Sequence, residues 1–422
     1  MDLTLLSGNE AVARGAWEAG ADVGVAYPGT PSTETLQNFV RMDGVVAEWA
    51  PNEKVALEVA AGASVGGARV LVTMKHVGVN VAADPLFTLA YTGVGAGMVL
   101  LVADDPGMHS SQNEQDSRNW GPFARIPVLE PSDSAEALEF TKLAFDLSER
   151  FDVPVIVRTT TRIAHSKGLV RTGPRTEAPR GSYNKDMAKW VMMPAMARAR
   201  RLDLDARIAR LSEWAISKGP DRVELRSSEL GIITSGVVYQ YVREALPDAS
   251  VYKVALGFPL AEAAIQSFSQ GMQRVVVVEE ADGYLARSVA AMGIELSSAD
   301  LPAHGELSPG SIARAFGVEP LDLRETVDGL PPRPPLMCPG CPHRGAFYAL
   351  RKVRAVVTGD IGCYTLAALA PLSAMDTCVC MGASIGMAHG MALAGQGSPD
   401  KPVVAVIGDS TFAHSGVTGL MH

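Results

Sequence analysis

Val406-Ile407-Gly408-Asp409-Ser410 is an apolar strand pattern that ends in a tight turn carrying an aspartate. The carboxylate is a hard oxygen ligand of the kind that Mg²⁺ prefers, and turn amides can meet phosphate oxygens. Gly, Asp and Ser are also ordinary turn residues, so the pattern by itself is typical of many tight turns. A diphosphate and Mg²⁺ site at this turn is therefore a hypothesis that needs a second feature in the same chain.

The second feature is Asn52-Glu53, which precedes a run of small residues at Ala56, Ala60, Ala61, Gly62 and Ala63. Asn is a favoured N-cap residue, so the pattern predicts that a helix begins here. Small side chains make a thin helix wall, which lets another domain and a ligand approach closely. Glu53 could contact a ligand that approaches this helix. It could instead only complement the helix dipole, as a carboxylate in the first turn does.

Length and composition are those of a globular protein with several domains. The 422 residues suggest about three domains. The net charge of -9 argues against a general nucleic-acid or anionic-membrane surface. The chain starts with Met1-Asp2-Leu3, which is not the basic n-region of a signal peptide, and Gly, Pro or charge interrupts every long apolar stretch. We expect a cytoplasmic protein that neither binds nucleic acid nor crosses a membrane.

The cysteines are confined to the last part of the chain, at Cys338, Cys341, Cys363, Cys378 and Cys380. A secreted chain stapled by disulfides would be short and would spread its cysteines as a framework. The clustering therefore favours metal or redox chemistry over disulfide bonds.

Residues 1–170 alternate apolar strand patterns with helical patterns. Strands are predicted at 22–27, 68–74, 97–103 and 153–159. Such alternation indicates a parallel sheet with helices on both faces.

Residues 171–228 form a basic connector that contains an amphipathic helix with its apolar residues at Leu204, Ile208, Leu211 and Ala215. We expect the basic face of this helix to be solvated.

A second α/β segment covers 229–330, with strands predicted at 231–234 and 274–279. A proline-rich stretch at 331–335 separates it from a third segment, 333–422, with strands predicted at 355–358 and 402–407. This last segment stops at His422, early for a doubly wound sheet of ordinary strand number. We expect the natural polypeptide to continue beyond this point.

Six motifs carry a family resemblance. They are Tyr27-Pro28-Gly29-Thr30-Pro31-Ser32, Asn52-Glu53, Ser110-Ser111-Gln112-Asn113-Glu114-Gln115-Asp116, Cys338-Pro339-Gly340-Cys341-Pro342-His343-Arg344, Gly359-Asp360-Ile361-Gly362-Cys363 and Gly408-Asp409-Ser410-Thr411-Phe412. In this order and over the whole chain they resemble the 2-oxoacid:ferredoxin oxidoreductases, which use thiamine diphosphate. The serine-rich and Cys-Pro-His-Arg motifs resemble the alpha subunits of the indolepyruvate branch.

The resemblance implies an α/β fold with several doubly wound parallel-sheet domains of the thiamine diphosphate-enzyme type. It assigns 1–170 to a pyrimidine-binding domain, 171–228 to the basic helical connector and 229–330 to a transketolase C-terminal-like domain. Residues 333–422 would be a diphosphate-binding domain, incomplete and without the ferredoxin-like tail of the family.

The implied activity is the CoA-dependent oxidative decarboxylation of aryl 2-oxoacids such as indolepyruvate, with electrons passing through iron-sulfur clusters to ferredoxin. The implied cofactors are thiamine diphosphate, Mg²⁺ and, mostly from the absent tail, [4Fe-4S] clusters. The implied partners are a small beta subunit and ferredoxin, in a hetero-oligomer that contains a dimer of this subunit. We expect the 422-residue chain by itself to be inactive.

The resemblance also implies residue roles. Glu53 matches the carboxylic acid that hydrogen-bonds N1′ of the cofactor's pyrimidine, and Thr30 matches the position that hydrogen-bonds the substrate carboxylate. The alternative for Thr30 is a helix cap in a Pro-Gly-Thr-Pro turn. Asp409 would bind Mg²⁺. The cofactor-binding positions implied are Gly359, Asp360, Gly362, Cys363, Gly382, Gly408, Asp409 and Ser410.

Three cysteines, Cys338, Cys341 and Cys363, resemble three of the four ligands of a [4Fe-4S] cluster found in some relatives. A fourth ligand could be Cys378, Cys380 or a residue after the end of this chain. A structural zinc site and buried or cofactor-lining thiols are the open alternatives.

Two other functions are compatible with the sequence. One is a non-oxidative thiamine diphosphate enzyme, a decarboxylase or a transketolase-like protein. The other is a catalytically silent fragment that acts only in assembly. The sequence does not indicate which 2-oxoacid is preferred, because the pocket residues come from loops that sequence alone cannot assemble.

Overall fold

A computed structural model describes residues 2–177, 181–320, 329–331 and 333–422. The chain forms two compact units, Met1–Leu323 and Arg324–His422. The four segments predicted from the sequence are a finer division than these two units.

The first unit is built on a seven-stranded sheet with the order β12-β6-β7-β5-β4-β2-β3. The strands of this unit are β1 (Asp2–Ser7), β2 (Val23–Ala26), β3 (Val46–Trp49), β4 (Val70–Lys75), β5 (Met98–Asp104), β6 (Val128–Leu129), β7 (Val155–Thr160), β8 (Lys167–Thr172), β9 (Arg222–Glu224), β10 (Leu230–Ser235), β11 (Ser250–Val254), β12 (Leu256–Phe258) and β13 (Arg274–Val278). All neighbours in the sheet are parallel except β12 and β6. The predicted doubly wound α/β fold is confirmed.

The central strands are buried along their whole length, which is typical of a parallel sheet covered by helices on both faces. Every residue of β4, β5 and β7 is buried. The apolar runs predicted as strands therefore form the middle of the sheet, with bounds that differ by one or two residues.

The described part of this unit also contains two smaller sheets. One has the order β13-β10-β11-β9, with β9 antiparallel to β11, and the other is the antiparallel ribbon β1-β8. The helices of the unit are α1 (Gly8–Glu18), α2 (Thr33–Phe39), α3 (Glu53–Val65), α4 (His76–Val81), α5 (Ala83–Thr92), α6 (Trp120–Ala124), α7 (Ser134–Phe151), α8 (Thr161–His165), α9 (Met187–Trp190), α10 (Pro194–Lys218), α11 (Val238–Ala245), α12 (Glu262–Gln270), α13 (Tyr284–Ala291) and α14 (Pro309–Ala315). Within the described ranges, no helix is long and apolar enough to cross a bilayer.

The connector helix α10 is present as predicted, with Leu204 and Leu211 buried. The expectation that its basic face is solvated is wrong for Arg207, which is only 2% exposed. Its guanidinium donates to the Ala90 carbonyl at 2.7 Å and lies 3.2 Å from an oxygen of Asp152. The spacing of apolar residues predicts which face of α10 is buried. It does not predict that a basic side chain of α10 will reach the Ala90 carbonyl near the end of α5.

The second unit holds a parallel pair of strands, β14 (Val356–Thr358) and β15 (Val403–Ala405). Its helices are α15 (Pro342–Lys352), α16 (Ala383–Leu393), α17 (Asp409–Thr411) and α18 (Val417–Met421). A 3-10 turn at Cys363–Ala368 follows β14, and a π-helical turn at Phe412–Gly416 joins α17 to α18. The strand predicted at 402–407 is thus shorter, and the chain after Gly408 is helical.

Candidate active site

The first candidate catalytic residue, Glu53, stands at the start of α3. The side chain of Asn52 accepts a hydrogen bond from the Val55 amide at 2.9 Å, as expected of an N-cap. Glu53 is therefore the first residue of the helix, and it is 5% exposed. Its position in the first turn agrees with both sequence interpretations, the catalytic acid and the partner of the helix dipole.

The carboxyl group of Glu53 occupies space that a glycine leaves open. A Cβ atom at Gly78, in α4, would lie 2.6 Å from Oε1 of Glu53. Any larger residue at position 78 would displace the carboxyl group. A buried carboxylic acid held in such a tight place is suited to one fixed hydrogen bond with a bound ligand.

Thr30 lies on an exposed turn after β2, and its carbonyl oxygen is 3.5 Å from Oγ of Ser110. The alternative role predicted for Thr30, a helix cap, is wrong. Ser32 holds the cap position of α2, and Thr33 Oγ1 accepts from the Gly29 amide at 2.9 Å. Thr30 does not cap α2. Its role in binding a substrate carboxylate stays a prediction.

A buried charge network that the sequence did not reveal lies after β5. Arg158 pairs with Asp104 and Glu130, each at 2.7 Å. Arg118 pairs with Asp116 at 2.6 Å and with Glu279 at 2.8 Å. These contacts tie the serine-rich segment that ends at residue 116 to the end of β13.

Electrostatics explain why these charges can be buried. Burial alone would raise the pKa of Asp116, but Arg118 and Arg158 lower that pKa to about 2. A buried charge is stable only when it is paired and hydrogen-bonded. In the sequence, Arg158 is the residue that indicates such a network, because it is a charged residue inside an otherwise apolar strand pattern.

Glu280, beside this network, predicts a pH dependence of stability. Burial raises the pKa of Glu280 from 4.5 to about 7, although a hydrogen bond from the Leu307 amide and the charge of Arg158 act in the opposite direction. The folded protein then holds a proton that the unfolded chain releases, so stability falls as pH rises through this window. The shift corresponds to about 3 kcal/mol of unfolding free energy.

We expect Glu280→Gln to remove most of the fall in stability with rising pH. Glutamine is neutral and can still accept the hydrogen bond from the Leu307 amide. Thermal unfolding at pH 5 and pH 8 measures the effect. Glu244→Gln, an exposed change on α11, is the control. An unchanged pH slope in Glu280→Gln would show that another group titrates there.

In the second unit, Gly408 is the N-cap of α17, and Asp409 is the exposed first residue of that helix. Oδ1 of Asp409 accepts from the Ser410 amide at 2.9 Å. Oδ2 makes no hydrogen bond or ion pair with any described residue. The turn therefore presents a carboxylate oxygen to solvent, as a Mg²⁺ ligand requires.

Tyr364, which sequence reasoning missed, supports this turn. Its hydroxyl accepts from the Gly408 amide at 2.9 Å and lies 3.2 Å from Oγ1 of Thr411. A Cβ at Gly408 would approach the tyrosine ring to 3.0 Å. Tyr364 therefore fixes the backbone at the start of α17 through its hydrogen bond with Gly408.

Asp360 accepts hydrogen bonds from backbone amides of its own unit. It is 0% exposed and accepts from the amides of Ile361, Gly382 and Ser384 at 2.9, 2.8 and 3.1 Å. Its carboxylate thus fixes the start of α16. A direct contact of Asp360 with the cofactor stays a prediction.

The predicted glycines lie where side chains would clash. Gly382 has a φ of +85°, and a Cβ there would lie 2.5 Å from Cβ of Ser415. A Cβ at Gly359 would meet Met375 at 2.3 Å, and one at Gly362 would meet the Tyr364 ring at 2.5 Å. The second unit therefore brings the segments at 359–363, 382 and 408–410 together. Glu53 and Thr30 belong to the first unit.

The hydroxyl of Tyr364 gives a test of the turn. We expect Tyr364→Phe to weaken thiamine diphosphate binding in the presence of Mg²⁺ by about fivefold to tenfold, because the Gly408 amide loses its acceptor. Isothermal titration measures the affinity. Tyr348→Phe, an exposed change on α15, is the matched control. Equal affinities in the two variants would remove Tyr364 from this role.

The five cysteines are all free thiols. Sγ of Cys341 lies 3.3 Å from Nδ1 of His343, and burial raises the pKa of Cys378 and Cys380. In the part of the chain that the structure describes, no group of three or more His, Cys, Asp or Glu side chains could hold a metal ion. A cluster on Cys338, Cys341 and Cys363 stays a prediction.

The residues present suit thiamine diphosphate and Mg²⁺. The first unit offers a buried carboxylic acid packed against a glycine, and the second offers an exposed carboxylate oxygen at the start of a helix whose backbone is held in place. An acid for the pyrimidine and a hard oxygen ligand for the metal are the donor types that the cofactor needs.

Comparisons with known proteins agree with this chemistry. Residues 14–210 match the family model described as pyruvate flavodoxin/ferredoxin oxidoreductase, thiamine diphosphate-binding. Residues 360–422 match the model of the thiamine pyrophosphate enzyme, C-terminal TPP binding domain. Glu53 and Asp409 thus each lie in a region matched to a thiamine diphosphate-binding domain.

The chain is 43% identical to the indolepyruvate oxidoreductase subunit IorA of Archaeoglobus fulgidus, over 99% of this chain and 72% of that protein. It is 40% identical to the subunit of the same name from Methanothermobacter marburgensis, over 100% of this chain and 73% of that protein. The solved 2-oxoglutarate:ferredoxin oxidoreductase of Magnetococcus marinus has a similar fold. It matches with a TM-score of 0.61 and 18% identity, over 75% of this chain and 65% of that one. On the sequence identity to these relatives, the chain belongs to the family of indolepyruvate oxidoreductase IorA subunits.

Proposed function

We propose that this chain is the thiamine diphosphate-bearing subunit of an enzyme that oxidatively decarboxylates aryl 2-oxoacids such as indolepyruvate. Coenzyme A would take the acyl group, and ferredoxin would take the electrons. The observation that carries the proposal is the buried carboxyl group of Glu53 at the start of α3, packed against Gly78. Family membership supports the substrate class.

The residues of the chain have distinct tasks in this proposal. The carboxyl group of Glu53 hydrogen-bonds the pyrimidine of the cofactor from a fixed place at the start of α3. Asp409 supplies an oxygen ligand to Mg²⁺. Thr30 hydrogen-bonds the substrate carboxylate. When bound, thiamine diphosphate supplies the electron sink for decarboxylation.

The assembly belongs to the same proposal. A small beta subunit, ferredoxin and a second copy of this subunit are the partners that the family suggests, and a cytoplasmic location goes with them. Iron-sulfur clusters would carry the electrons in the complete enzyme.

The test uses the chain co-expressed with its small partner subunit and supplied with thiamine diphosphate, Mg²⁺ and coenzyme A. Indolepyruvate is added, ferricyanide or a viologen dye accepts the electrons, and mass spectrometry detects the acyl-CoA product. We expect acceptor-dependent acyl-CoA formation. Aldehyde formed without an acceptor would favour a non-oxidative decarboxylase, and cofactor binding without any turnover would favour an assembly role.

A further inference from the structure

Lys75 and His76 stand at the edge of the first sheet where a ligand is expected. Lys75 is the last residue of β4, which lies between β2 and β5, and His76 is the first residue of α4. Ligands of open α/β sheets bind outside the carboxyl ends of the strands. Two residues after His76, Gly78 packs against the carboxyl group of Glu53. Lys75 is thus close in the chain to the proposed catalytic acid.

The stem of Lys75 runs beside the turn that carries Thr30. A Cβ at Gly29 would lie 3.4 Å from both Cβ and Cδ of Lys75. Nζ of Lys75 donates to the carbonyl oxygen of Ser110 at 3.1 Å, and Oγ of Ser110 is 3.5 Å from the Thr30 carbonyl. Three segments, the β2 turn, the end of β4 and the serine-rich loop, therefore meet around this ammonium group.

The charge of Lys75 has no ion-pair partner among the described residues. Only 9% of the residue is exposed. The nearby carboxylate of Asp105 accepts hydrogen bonds from the Ser110 amide at 2.8 Å and from the hydroxyls of Ser111 and Thr161 at 2.6 and 2.8 Å. Burial lowers the pKa of Lys75, and Asp105 raises it in part. An ammonium group has three donors, and one of them has a partner here.

His76, next to Lys75 in the chain, is also buried and has a ring nitrogen without a described partner. It is 0% exposed, and Nε2 lies 3.1 Å from the carbonyl oxygen of Asn113. Nδ1 has no hydrogen-bond partner within the described part of the chain. A buried polar atom without a partner is unfavourable by about 1–3 kcal/mol, so such atoms are usually satisfied by a ligand or by water.

We propose that Lys75 binds the carboxylate of the 2-oxoacid substrate, beside Thr30. A single carboxylate matches one buried ammonium group that still has free donors. The diphosphate of the cofactor has its own candidate site at Asp409, in the other unit. This assignment rests on the proposed function, and it adds the cation that Thr30, a neutral residue, cannot supply.

The test measures binding of indole-3-lactate, which keeps the carboxylate but has no ketone to react. Wild type, Lys75→Met and Lys75→Arg are loaded with thiamine diphosphate and Mg²⁺ and titrated in a calorimeter. We expect the Kd of Lys75→Met to rise about tenfold to a hundredfold, the usual effect of losing a hydrogen bond to a charged group. Lys75→Arg keeps most of the affinity, because it keeps the charge.

Three controls separate binding from folding and from catalysis. The affinity for thiamine diphosphate should be equal in all variants, the neutral methyl ester should bind Lys75→Met and wild type alike, and the exposed change Lys218→Met should have no effect. In turnover assays, Lys75→Met should raise KM for indolepyruvate more than it lowers kcat.

The outcomes distinguish this inference from the proposed function. A Kd for indole-3-lactate in Lys75→Met within about twofold of wild type would overturn the inference, as would undetectable binding to wild type. If binding depends on Lys75 but indolepyruvate is not decarboxylated, the carboxylate site stands and the proposed reaction is wrong.

Discussion

Replacing Glu53 by Gln is expected to lower turnover of the assembled enzyme by about two orders of magnitude or more, with the fold and cofactor binding retained. Glutamine has the same shape as glutamate, so it fits beside Gly78 and keeps the start of α3 intact. What it lacks is the proton that a carboxylic acid can share with the pyrimidine. The measurement is steady-state dye reduction with indolepyruvate, together with titration of thiamine diphosphate.

The matched control is Glu58→Gln, an exposed position on the same helix that pairs with Lys54. We expect its turnover to equal that of wild type. Comparable turnover in Glu53→Gln and Glu58→Gln would dismiss Glu53 as the catalytic acid and leave it the helix-dipole role.

The second large effect is expected at Asp409, the candidate metal ligand. Asp409→Ala should abolish Mg²⁺-dependent retention of thiamine diphosphate, because a Mg²⁺ ion held at Asp409 would lose its anionic protein ligand. The exposed position of Asp409 at the start of α17 makes a folding defect in this variant small. Isothermal titration with and without Mg²⁺ measures the loss.

Asp409→Asn separates charge from shape, since it keeps one oxygen and loses the negative charge. Its affinity should fall between those of wild type and Asp409→Ala. Asp400→Ala, an exposed change in the same unit, is the control. If Asp409→Ala bound the cofactor within about threefold of wild type, the Mg²⁺ ligand would have to be sought elsewhere.

Local patterns predicted several elements of the structure correctly. The Asn52 cap, the four strands predicted in the first 170 residues and the helix with Leu204 and Leu211 follow from capping chemistry and hydrophobic periodicity. These patterns are reliable because each one depends only on residues that are close together in the sequence. The same signals placed the Gly408-Asp409-Ser410 turn after a strand, although that strand is shorter than predicted.

Contacts between distant segments were not predictable in this way. Tyr364 meets Gly408 across 44 positions, and Arg118 meets the carbonyl of Glu280 across 162. The burial of Arg207 and the internal role of Asp360 belong to the same class. In each case a polar side chain finds a backbone or charged partner that only the folded chain brings near.

By itself, the sequence determined the α/β class, the family resemblance and the identity of the candidate acid and metal ligand. Each of these depends on residue type and short spacing, which the chain carries in any conformation. Only the tertiary structure decided which groups are buried and which have partners. It placed Lys75 against Gly29 and Ser110, and it joined Tyr364 to Gly408. The reason is that burial and pairing are properties of the space between segments, and the packing of the sheet sets that space.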